Sequence, residues 1–172
     1  MFKHLCFALM LFLLNGCCNT GVDVKSDRKA LVERFFRGVY GGDPTVVDEL
    51  ASDDIVISYP IFQKLFNKPA IRGREAVKQF AVGFGSRWKD TQVTIHEAVE
   101  EGDRVVLLWS FTGRNVATAN DSMQPTNEFH SWGGITLYRF NEAGKIVAEI
   151  GEESEPGPHE RVAAGDADEG EN

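Results

Sequence analysis

The chain has 172 residues, 42% of them hydrophobic, with a formal net charge of -8 and an isoelectric point near 5.0. That length suffices for one domain with a buried core plus some extra chain. The scattered Lys and Arg exclude the basic patch that a nucleic-acid backbone requires. Setting aside residues 1–16 removes only Lys3 and leaves 17 of the 18 basic side chains against 26 acidic ones. Such an anionic balance bears on solubility rather than on a particular partner.

Residues 1–16 open on Lys3 and His4, continue as the apolar run Leu5 to Leu14, and close on Asn15-Gly16 before Cys17. A run of about ten apolar residues is too short to span a bilayer as a helix and fits the core of a secretory signal. The three cysteines, Cys6, Cys17 and Cys18, all lie at this end, so no disulfide framework or cysteine-based zinc site can be built in the body of the chain. Leu14-Asn15-Gly16-Cys17 resembles the lipobox of bacterial lipoproteins, with Asn15 in place of the usual small or aliphatic residue. The resemblance implies lipidation of Cys17, an extracytoplasmic membrane-anchored protein, and, through Cys18, the outer membrane in a two-membrane source. Residues 17–26 then read as the lipidated cysteine and a polar tether.

From Asp27 the pattern becomes helical. Leu31, Val32, Phe35, Phe36, Val39 and Tyr40 recur at three- and four-residue spacing behind a cap at Ser26 or Asp27, and Gly41-Gly42 ends the run. Asp43-Pro44 restarts a short second helix with Val46, Val47 and Leu50 inside. Ile55 to Tyr59 reads as a strand stopped by Pro60, Ile61 to Ile71 as irregular chain folded over an opening, and Gly73 onward as a third helix with Val77, Phe80, Ala81 and Phe84 on its inner face. After Thr91 the period shortens to two. Val93 to Val99 and Arg104 to Gly113 flank a turn at Glu101-Gly102-Asp103, and Arg114 to Glu128 is a long polar loop. Residues 156–172 are acidic and poor in apolar side chains, the composition of a disordered tail.

The stretch Phe129 to Ile150 organises the rest. His130, Trp132, Thr136 and Tyr138 share one face of a strand, and Ser131, Ile135, Leu137 and Arg139 the other. Asn141 to Gly144 supplies a turn, and Ile146 to Ile150 returns as an antiparallel partner. Ile146, Ala148 and Ile150 are expected on one apolar face, which leaves Glu149 opposite them, in a pocket or in water. Three helices followed by long curved strands make an α+β domain over residues 27–155, with a cone-shaped curved antiparallel sheet wrapped around the three N-terminal helices.

Several short stretches together resemble the SnoaL-like polyketide cyclase family: Arg72-Gly73-Arg74-Glu75-Ala76-Val77, Glu101 to Val106, Trp109 to Arg114, Pro125-Thr126, and Tyr138-Arg139-Phe140 followed by Gly144-Lys145-Ile146-Val147. The superfamily of that family also holds ketosteroid isomerase, scytalone dehydratase and nuclear transport factor, and the resemblance implies a cone-shaped α+β barrel. Cyclase members carry a Trp and an acid/base Asp on the final strand. Here Ile150 and Gly151 stand at those positions, and the nearest acids are Glu149 and Glu152.

Candidate proton carriers are therefore His130, Glu149 and Glu152, because imidazole titrates near neutrality and burial raises a carboxylate toward it. Tyr59, Trp109, Trp132 and Tyr138 are the candidate ligand-binding residues, as aromatic walls with a hydrogen-bonding tip. Each of these residues also fits an ordinary core or solvated-edge role. His4, His96, His130 and His159 lack metal-ligand spacing, so neither metal nor cofactor is expected. The expected function is binding of a small apolar organic molecule in the cone pocket by a lipid-anchored domain. Cofactor-independent acid/base catalysis (isomerase, cyclase, dehydratase or hydrolase type) and a protein-interaction role for the sheet are the alternatives, with a homodimer formed through the outer sheet face.

Overall fold

The computed structural model describes residues 27–116 and 126–168. The signal segment, Cys17 and the tether lie outside these residues, as does most of the loop Arg114 to Glu128.

Helix α1 (Arg28–Gly41) begins where the Asp27 side chain accepts from the Ala30 amide, and buries Val32, Phe35, Phe36, Val39 and Tyr40 along one stripe. It ends at Gly42, whose φ of 87° is open to glycine at no steric cost. Helix α2 (Thr45–Leu50) follows, with the Asp43 carboxylate accepting from the Thr45 amide at 2.9 Å. Strand β1 (Ala51–Ser58) starts four residues before the expected Ile55.

The segment expected to be irregular contains a helix, α3 (Pro60–Phe66). Pro60 starts it as well as stopping the strand, since proline lacks only an amide that the first helical turn leaves unpaired. Tyr59 therefore sits at a strand-to-helix corner and not within β1. Among the described residues four helices, not three, precede the long strands once α4 (Arg74–Arg87) is added after the two-residue β2 (Ile71–Arg72).

Strands β3 (Trp88–Glu101), β4 (Arg104–Asn115), β5 (Phe129–Phe140) and β6 (Ile146–Ser154) complete a six-stranded sheet in the order β2-β1-β6-β5-β4-β3. The sheet curves round the helices as expected. Its pairs are antiparallel except β1 with β6, which run parallel. The inner face and the helices share one core, in which Val32, Phe35, Phe36, Ile57, Leu107 and Tyr138 are all fully buried.

The residues expected as a disordered tail include a further helix, α5 (Pro158–Asp168). It packs on the outer face of β4 and β5, where the Glu160 carboxylate accepts from Ser110 Oγ and the His159 ring stacks on His96 with centroids 3.6 Å apart. Burial and the neighbouring His159 hold His96 below the usual imidazole range. The acidic composition of residues 156–172 hid this contact, which lies on the strand face opposite Trp109.

Candidate functional site

A cavity of ≈ 650 Å³ opens between the inner face of the sheet and helices α1, α3 and α4. Trp88, Trp109, Phe111 and Trp132 form its sheet side, and Phe36, Tyr40, Phe62, Phe66, Phe80 and Phe84 its helical side. The rings are packed against each other, with Phe111 and Trp132 4.3 Å apart between centroids and Phe36 and Trp109 4.9 Å. Such a wall takes up apolar surface and leaves the few polar groups to orient what enters.

Strand register fixes where those polar groups stand. Val105, Tyr138 and Glu149 are cross-strand neighbours, as are Leu107, Thr136 and Gly151, and Trp109, Gly134 and Glu153. All point inward. The apolar face expected for Ile146, Ala148 and Ile150 does not form, because the β5–β6 register shifts between Arg139 and Phe140. The pairing passes from Ile146 to Ala148, so Ile146 and Glu149 are both fully buried while Ile150 is 47% exposed. A bulge of this kind resets the alternation.

Glu149 is the centre of a buried network. Its Oε1 accepts from the hydroxyls of Tyr40 at 2.7 Å and Tyr59 at 2.8 Å. Tyr59 Oη lies 2.9 Å from Thr136 Oγ1, which accepts from Trp109 Nε1 at 2.8 Å. An indole N–H can only donate and a carboxylate can only accept, so with Glu149 ionised the chain has one direction: Trp109 to Thr136 to Tyr59 to Glu149. Tyr138 faces the same carboxyl without completing a hydrogen bond, and both its hydroxyl and Glu149 Oε2 are buried without a partner. Burial pushes Glu149 up to about 7, against the pull of the Tyr40, Tyr59 and Tyr138 hydroxyls. The three phenols are held well above their usual value, first by burial and then by that carboxyl, so they stay protonated.

Gly151, at the position where the cyclase pattern carries its aspartate, is buried against Tyr59, and a Cβ there would collide with that ring. The acid stands two residues earlier. A two-residue step keeps the strand face, so Glu149 still points inward. It does not line the cavity itself. Tyr40 and Tyr59 lie between, and the cavity meets the carboxyl through their hydroxyls.

The other expected residues separate. Tyr59, Trp109, Trp132 and His130 line the cavity, the last stacked edge-on against Trp88 at 5.5 Å between centroids. Tyr138 lies beneath the floor, packed on Phe35. Glu152 points outward, is exposed and lines no part of the cavity. Its neighbour Glu153 points inward on the cavity wall, where burial, and then the Glu152 carboxylate, push it up to about 7. Sequence reading passed over Glu153 because the acids of Glu152, Glu153 and Glu155 look like a solvated strand end. Alternation from Glu149 through Gly151 was the signal that selects it. Among the described residues no group of three or more His, Cys, Asp or Glu side chains could hold a metal ion.

Comparison with solved structures gives the fold independently. The chain is similar to a candidate SnoaL-like polyketide cyclase from Jannaschia sp. CCS1, with 18% identity, a TM-score of 0.61 and coverage of 74% of this chain and 85% of that one. IdmH from Streptomyces antibioticus, described as a candidate polyketide cyclase, gives 19% identity, a TM-score of 0.60 and coverage of 75% and 93%. A ketosteroid-isomerase-like fold from Catenulispora acidiphila, solved in complex with trimethylamine, gives 16% identity, a TM-score of 0.55 and coverage of 70% and 82%. Comparison with curated proteins finds no match. The model of the SnoaL-like domain matches residues 32–149, which run from α1 to the buried acid of β6, and the chain therefore belongs to the SnoaL-like domain family.

Proposed function

We propose that this domain takes a small, largely apolar organic molecule into its aromatic cavity. The observation that carries this reading is the cavity itself: ≈ 650 Å³, walled mostly by aromatic rings, with the Tyr40 and Tyr59 hydroxyls and a few charged or polar side chains among them. That composition suits a ligand with a rigid hydrocarbon body and one or two polar atoms. The fold neighbours described as polyketide cyclases, and the one solved with a small amine, support a small-molecule role.

A second reading, acid/base chemistry without a cofactor, is favoured by the Glu149 network. With the carboxyl ionised, the Tyr40 and Tyr59 protons are committed to it. With the carboxyl protonated, those hydroxyls are free to turn toward a ligand carbonyl. A group titrating near neutrality thus sets whether the floor of the cavity accepts or donates. Glu149 acts in this scheme through the phenols as a positioning residue. His130 and Glu153 are the ionisable groups that meet a ligand directly.

Both readings are tested with one probe, a naphthyl ketone. Binding is read by quenching of tryptophan emission, and chemistry by deuterium uptake from solvent next to the carbonyl. Saturable binding is expected, with exchange lost in Glu149→Gln if the network serves catalysis. Binding without exchange leaves the binding reading alone, and no binding removes both.

The address and the assembly belong to the same proposal. Lipid on Cys17 would hold the domain at a membrane outside the cytoplasm. A second copy would cover the outer-face row Val99, Val106, Leu137 and Ile150, which is flanked by Arg104 and Arg139 on one side and Glu97 and Glu152 on the other. A two-fold axis through that row brings opposite charges together. Detergent-phase partition that is unchanged in Cys17→Ala, or a monomer mass by light scattering, removes the corresponding part.

A further inference from the structure

Glu149 and Glu153 lie on the same face of β6, but their surroundings differ in one decisive respect. Glu149 has two phenols donating to it. Glu153 lines the cavity and, among the described residues, forms no ion pair and receives no side-chain hydrogen bond. A partly buried carboxylate without a donor is costly, and the cost falls when a ligand supplies one.

The strand register identifies what kind of donor fits. Trp109, Gly134 and Glu153 form one inward row across β4, β5 and β6. Gly134 has no side chain, and the Trp109 indole leans across it: a Cβ at that position would lie 2.7 Å from Trp109 Cζ2. The indole therefore occupies the space immediately beside the carboxylate-bearing position. The next inward residue of β5, Trp132, also lines the cavity. An acid in the same inward row as Trp109, on a cavity wall that also carries Trp132, suits positive charge, by ion pairing to the carboxylate and by attraction to the negative faces of the rings.

The cationic side chains around the cavity do not fill this role. Lys64 is exposed on α3, Arg87 already has a partner of its own, and neither pairs with Glu153. Glu155, also at the cavity edge, adds to the negative side.

We infer that the ligand of this cavity carries a cationic nitrogen, an amine or a quaternary ammonium, seated against the Glu153 carboxylate and the Trp109 indole. This rests on the reading of the cavity as a small-molecule site and adds the ligand's charge to it. The apolar body occupies the phenylalanine-lined half under α3 and α4, and the nitrogen takes the β6 side.

The experiment is calorimetric titration of the full chain with benzyltrimethylammonium and, separately, with its neutral isostere neopentylbenzene, in which carbon replaces nitrogen. The cation is expected to bind roughly tenfold more tightly than the isostere, and Glu153→Gln is expected to abolish that preference, bringing the ratio of the two affinities to about one. Equal affinity of the two probes for the unaltered protein overturns the inference and leaves the cavity reading standing. A cation preference that persists in Glu153→Gln overturns the assignment to this carboxylate. Failure of both probes to bind overturns the inference and counts against the cavity reading as well.

Discussion

Two glutamates on one strand, four residues apart and facing the same way, reach the same titration range by different routes. Glu149 is fully buried and closed in by phenols, and burial alone raises it against their opposition. Glu153 is only partly buried, receives no side-chain donor among the described residues, and is raised by burial and then by repulsion from Glu152. The first belongs to the structure of the floor. The second is free to meet whatever enters. A raised acid is therefore not by itself evidence of catalysis, because the same shift accompanies an internal network and an open wall.

The largest test of that contrast is truncation. Glu149→Ala takes the acceptor from the Tyr40 hydroxyl, leaves Tyr59 with Thr136 as its partner and opens a void in the core, and it should cost about 4 kcal/mol in urea unfolding. A loss below about 1 kcal/mol would mean that the floor network is not a structural unit.

Next is the pH dependence. The folded protein keeps the Glu149 proton up to about 7, whereas an unperturbed glutamate releases it near 4.5. Folding therefore takes up a proton between these values, and stability is greatest on the acid side and falls as pH rises through 7. The part of the fall that belongs to Glu149 should be on the order of 3 kcal/mol and should be lost in Glu149→Gln, leaving the shallower slope that the partly buried Glu153 contributes. Stability that rises over the same window would show that the carboxyl is ionised in the folded state. The smallest effect is expected for Glu153→Ala measured near pH 4, within about 0.5 kcal/mol of the parent in the same unfolding assay, because there the carboxyl keeps its proton in the folded protein and no packed network depends on that side chain.

Much of the fold could be read from residue order. The inward face of β5, with His130, Trp132, Thr136 and Tyr138, follows from simple alternation, and α1 follows from its stripe of Val32, Phe35, Phe36, Val39 and Tyr40. What escaped reading shares a physical cause, namely dependence on contacts distant in sequence. The register shift opposite Phe140 that turns Ile146 inward is set by the pairing of two strands and has no signature in β6 itself. Pro60 is compatible with ending a strand or starting a helix, and only packing of Phe62 against Tyr59 and Phe80 decides for the helix. Acidic composition suggested that nothing after Pro156 could pack, yet Glu160 and His159 find Ser110 and His96 on the outer sheet. At the site, the missing family aspartate was visible at Gly151. That Tyr59 fills its place and Glu149 takes up an acid position was not, since Tyr59 and Gly151 are 92 residues apart.

Strand β6 lies inside the sheet, bound to β1 on one side and to β5 on the other. The backbone at Glu149 is thus held by two ladders, through Ile57 and Tyr138, and that at Glu153 by its pairing with Gly134 of β5, whereas the opposite half of the cavity is built from the short helix α3 and one end of α4. Selection can reshape that helical roof, altering the size and outline of the guest, while the charged edge keeps its coordinates. Descendants of this scaffold would be expected to diverge in appetite first along Ile61, Leu65 and Phe66.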